Sequence, residues 1–156
     1  MNAEEVLQQL RHFLLALTIL LFVGALAELW LVGHTEDAVQ WIPFVLAIGG
    51  AIITGLFYLR PNQLMSRVLR IWMVLVMLGS GLGIYFHFKG NYGFEREITP
   101  RAGTMDLMWK ALEGGNPLLA PGVLAVAGVL AIAATYRYAA TSSASQTATT
   151  KTINPS

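Results

Sequence analysis

GSGLGIYFHFKGNYGFEREITPR, from Gly79 to Arg101, passes from an apolar helix into the most charged loop of the chain. Its first half carries Gly79 and Gly83 in GxxxG spacing, which lets helix backbones approach closely in lipid. Its second half carries Glu95, Arg96, Glu97 and Arg101. A stretch of this kind joins a membrane interior to one aqueous face.

Working outward, the composition agrees. The 156 residues are 55% hydrophobic and 12% charged, with a mean hydropathy of +0.58, which describes a chain living mostly in lipid. With no cysteine there is no disulfide framework, no thiolate metal site and no dithiol redox chemistry. A net charge of +1, with the basic residues not clustered on one helix, excludes nucleic acid as a partner.

The expected fold is all-α, an integral membrane four-helix bundle. Residues 1–12 form an amphipathic lead-in and lack the features of a cleaved signal, so the first helix is expected to stay in the mature protein. The first span covers 13–32, an apolar run interrupted by Thr18 and Glu28. At 1.5 Å per residue it reaches about 30 Å, one hydrocarbon thickness. Further spans are expected at 41–59, 69–88 and 118–138, and Arg60-Pro61-Asn62 ends the second. The link at 60–70 holds Arg60, Arg67 and Arg70 and no acid, whereas the link at 33–40 holds Glu36 and Asp37 and no Lys or Arg. The positive-inside rule then puts the first link and both termini in the cytoplasm. Short loops and the lack of targeting signals point to a prokaryotic plasma (inner) membrane.

The third, external loop, Lys89 to Asn116, is too long for a mere turn. Within it TMDLMWKALE, Thr104 to Glu113, places Met105, Met108, Trp109 and Leu112 on one helical face with Asp106, Lys110 and Glu113 opposite. That predicts a short interfacial helix, lying either on the membrane or over the bundle mouth as a lid. From 140 to 156 the Ser, Thr, Ala and Gln composition has almost nothing to bury, which predicts a disordered or partner-bound tail.

Helix packing is assigned to small residues: Ala47, Ala51 and Gly55 on the second span, Gly79 and Gly83 on the third, Ala127, Ala131 and Thr135 on the fourth. Glu28 is the acid inside a span. Its neighbours Gly24 and Ala25 predict a bundle-facing side chain, and His87 shares the small face of the third span, so a Glu28–His87 contact is expected. Such a pair serves a proton relay, a ligand set with His34 for metal, haem or a quinone head, or a plain hydrogen bond fixing helix register. Glu95 and Glu97 read as a self-neutralising ion-pair network with Arg96 and Arg101, or as carboxylates for a hard cation with Asn91. No catalytic triad, zinc-protease or phosphate-loop motif is present.

The resulting expectation is a non-catalytic accessory or assembly subunit, whose partners are the bilayer and other membrane subunits or further copies of itself. The alternative is a small redox, proton-relay or ligand-binding module built on Glu28, His87 and His34. The sequence names no cofactor and no metal site.

Overall fold

The computed structural model describes residues 2–116, 118–136 and 138. Among them the chain is all-α, with three helices long and apolar enough to cross a membrane. The tail from 140 lies outside the described residues, as does residue 137 of the 118–138 segment.

Helix α1, Ala3–Leu31, begins at a capping box: Asn2 Oδ1 accepts the Glu5 N–H at 2.8 Å, and the Asn2 N–H donates to Glu5 Oε2 at 3.1 Å. It ends at Gly33, whose φ of 66° lets the chain leave the helix with His34 N–H bonded back to Leu29 O. The lead-in is thus continuous with the first span, in one helix of about 44 Å. A 3-10 turn, Ala38–Gln40, leads into α2, Trp41–Leu59. Pro43 sits in the first turn of α2, where a missing N–H costs nothing, and Pro61 stops it by driving Arg60 out of helical angles.

Helix α3, Gln63–Ile98, starts on the Asn62 cap, whose Oδ1 accepts the Met65 N–H at 2.9 Å. It does not stop at 88. The stretch 89–98, expected as a charged loop, continues the helix, giving a length of about 54 Å. Gly90 and Gly93 each cost about 1 kcal/mol in a helix interior, but propagating a helix already nucleated costs no new nucleus. The chain turns at 99–103, where Pro100 bars further helix, and returns as α4, Thr104–Glu113. The expected external loop is therefore a helical hairpin.

Helix α5, Leu119–Ala134, is shorter than the expected 118–138 span and reaches about 24 Å. Its carboxyl end is fixed from two sides. Arg70 of α3 donates to the Thr135 hydroxyl at 2.8 Å and to the Thr135 carbonyl, and Arg11 of α1 donates to the Tyr136 carbonyl at 3.0 Å. Cations there satisfy orphan carbonyls and complement the helix dipole. The Thr135 hydroxyl also turns back onto Ile132 O, closing the end of the helix.

Helices α1, α2, α3 and α5 close a ring: α1 packs on α2 and α5, α3 packs on the same two, and α1 and α3 lie on the diagonal without contact. Phe22, Ala47, Leu69, Met73, Val76, Ala127 and Ala131 fill its centre, all fully buried. The close approaches use Gly50 against the Phe22 ring, Gly49 against the Trp72 indole and Gly128 against Met77 and the Met73 carbonyl. Trp72 Nε1–H then donates to Leu46 O at 3.1 Å, tying α3 to α2. Thr18, Thr54 and Ser80 are buried hydroxyls, and each donates to the carbonyl four residues earlier in its own helix. These hydroxyls are satisfied within their own helices, so they line no shared polar site.

Candidate functional site

The expected Glu28–His87 contact is not made. The packed face of α1 is set by Leu15, Thr18, Phe22 and Ala25, and at 100° per residue Glu28 falls well off it. Glu28 is exposed, its carboxylate makes no hydrogen bond or ion pair among the described residues, and nothing lies within 4 Å of a Cβ built on Gly24, one turn below. Small neighbours misled here: Ala25 faces the core, Gly24 does not.

His87 meets His34 instead. The loop following α1 carries His34 across the ring's end, and the two imidazoles lie with centroids 6.2 Å apart and planes 16° from parallel, both half-buried. His12 lies elsewhere, edge-on to Tyr58 with centroids 5.1 Å apart. His34 and His87 make the one juxtaposition of expected ligand residues. Among the described residues no group of three or more His, Cys, Asp or Glu side chains is gathered for a metal. Two imidazoles alone offer half of a tetrahedral transition-metal set.

The hairpin is locked by a residue that was expected, if anything, as a cation ligand. Asn91, 3% exposed, donates through Nδ2 to Ala111 O at 2.9 Å and to Asn116 O at 3.0 Å, and its Oδ1 accepts the Asn116 N–H at 3.0 Å. Gly114 passes so close that a Cβ there meets Asn91 Cγ at 2.6 Å. With all three groups spent on backbone, Asn91 is not a partner for a cation with Glu95 and Glu97. Nor do those acids pair with Arg96 or Arg101; among the described residues the ion pair is Lys110–Asp106 at 3.4 Å on α4. The helical geometry explains this, since neighbouring residues 95, 96 and 97 point in three directions. A signal for Asn91 did exist: the inward register of α3, Ser66, Leu69, Met73, Val76, Ser80, extended through Gly83 and His87, arrives at Asn91.

Helix α4 touches α3 and no other helix, so it is not a lid over the ring. Leu107 and Ala111 are its buried contacts, whereas Met105, Met108, Trp109 and Leu112 are exposed. The small residues divide. Ala47, Ala127 and Ala131 are fully buried, Ala51 packs against the core, Gly79 lies against Leu46, and Gly83 lies against Pro121 of α5. Gly55 has open space where its side chain would be.

One further pattern concerns the outward stripe of α3. Arg67, Ile71, Leu75, Leu78, Leu82, Phe86, Lys89, Gly93 and Arg96 follow one another at three- or four-residue steps, and all are exposed. The apolar part is bracketed by Arg67 and Lys89, about 33 Å apart along the axis. That is one hydrocarbon thickness. Compared with known protein families, characterised proteins and solved structures, this chain matches none.

Proposed function

We propose that this chain is a non-catalytic integral membrane protein, an accessory or assembly subunit that docks onto a larger membrane complex through its α3–α4 hairpin. In this reading α1, α2, α3 and α5 form a four-helix bundle in a prokaryotic plasma membrane. Both termini are cytoplasmic, and the basic turn between α2 and α3 faces the same side. The outward stripe of α3 supports the placement: lipid meets the stretch between Arg67 and Lys89, and the last three turns of α3 stand outside with α4 folded against them. Helix α5 is the fourth crossing, accommodated by local thinning of the bilayer at modest cost.

The observation that carries the docking role is the exposed face of α4. Leu107 and Ala111 already supply the packing that holds α4 to α3, so Met105, Met108, Trp109 and Leu112 are surplus to the fold. Met and Trp are residues that interfaces favour, and a rigid helix bearing them is a suitable anchor. The small-residue faces contribute less than expected, because Gly79 and Gly83 are occupied within the chain.

The test is Trp109→Glu combined with Leu112→Glu, followed by native electrophoresis of gently solubilised membranes. The wild-type chain is expected to migrate in an assembly larger than itself and the variant at the size of the free chain, with thermal stability unchanged. A variant that migrates with the wild type contradicts the docking role.

A second reading, a small ligand-binding module, draws support from the His34–His87 juxtaposition. Glu28 has no part in it.

A further inference from the structure

The basic turn between α2 and α3 sits where two lipid-facing stripes end. On α2 the exposed residues Val45, Ile48, Ile52 and Leu56 run down one side to Arg60, and on α3 the exposed stripe runs from Phe86 through Ile71 to Arg67. Both arginines are exposed, and neither makes a hydrogen bond through its side chain, an ion pair or a ring contact among the described residues. This separates them from Arg11 and Arg70, whose guanidinium groups donate to Tyr136 and Thr135 at the end of α5. No acid lies in the turn to neutralise them: residues 60 to 70 hold no Asp or Glu.

We propose that Arg60 and Arg67 form a binding site for the headgroup of an anionic phospholipid in the adjoining leaflet. The apolar stripes above the two arginines take its acyl chains, and the arginines reach its phosphate. Charge complementarity and depth select the occupant. A guanidinium at the end of a lipid-facing helix stripe lies at headgroup level, and a phosphate matches its fork of donors. The described arginines at this end of the protein thus divide the work: Arg11 and Arg70 hold α5, while Arg60 and Arg67 hold lipid.

The experiment uses the full chain in phosphatidylcholine vesicles, with phosphatidylglycerol titrated in as the probe, read by thermal unfolding and by native mass spectrometry of retained lipid. For the wild type, phosphatidylglycerol is expected to raise the unfolding temperature and to remain bound as an adduct. In Arg60→Gln combined with Arg67→Gln the apparent affinity for it should fall roughly thirtyfold, the scale of two cations near a membrane phosphate. Stability in phosphatidylcholine alone should stay as in the wild type. Arg70→Gln, in contrast, should lower stability in both lipids and leave the lipid affinity nearly intact. Equal phosphatidylglycerol affinity in the wild type and the double variant overturns the site. So does a wild-type response to inorganic phosphate matching the response to the lipid, which marks a free-anion site.

Discussion

Asn91 shows how one side chain decides the shape of the α3–α4 hairpin. It sits on the inward register of a helix that has already left the packed ring, and it spends its whole amide on the backbone of the returning segment. A buried amide replaced by an apolar group leaves two carbonyls and an N–H without partners, at about 1–3 kcal/mol for each group that water cannot reach. Asn91→Ala is therefore expected to release α4 and the link to α5. Amide exchange across 104–116 should accelerate at least tenfold while α1 and α2 keep their protection. Uniform acceleration throughout the chain, or none, contradicts the assigned role. The inward register of α3 points to this residue, but Gly90 and Gly93 around it weaken the helical signal. Glu28 misleads in the opposite way: one small neighbour faces the core and the other does not, so small size alone does not define a face.

At the scale of the element, the glycines of α2 separate into two kinds that look alike on paper. Gly50 lies under the buried Phe22 ring, and Gly55 faces open space. An added methyl at Gly50 forces overpacking, typically 1–3 kcal/mol, whereas at Gly55 it removes backbone entropy from the unfolded chain and gains up to about 1 kcal/mol. Gly50→Ala should lower the unfolding temperature of the solubilised protein and Gly55→Ala should hold or raise it. Shifts of the same sign and size count against the packing described. Helix existence was legible throughout: the apolar runs of α1 and α2 and the period of TMDLMWKALE needed no structure. Helix ends were less so. The change from apolar to charged residues near Phe88 suggests an end to α3, but it is a change of side-chain polarity alone, and backbone hydrogen bonding carries the helix on to Ile98. The carboxyl end of α5, at Ala134, has no mark in the apolar run, because the contacts of Arg11 and Arg70 that close it come from distant helices.

For the whole molecule, an all-α chain with membrane-crossing helices followed from composition and run length alone, since few soluble cores are this apolar. The ring order of the helices did not. It sets α1 and α3 on the diagonal and leaves Glu28 outside, and it arises from side-chain fit between Phe22 and Gly50, Trp72 and Gly49, Met77 and Gly128, none of which has a sequence period. The candidate site moved accordingly. The buried hydroxyls of Thr18, Thr54 and Ser80 satisfy themselves within single helices, and the features free to act lie on the periphery: the apolar face of α4 on one side, and on the other Arg60 and Arg67 of the α2–α3 turn, whose side chains have no partner among the described residues. The proposed accessory role rests on that distribution, a fixed interior with an exterior open to partners. Native mass spectrometry of the protein gently extracted from its own membrane tests this most directly. Additional protein subunits at fixed stoichiometry are the expected result, whereas a lone chain, or copies of this chain alone carrying a metal, haem or quinone mass, contradicts the accessory role.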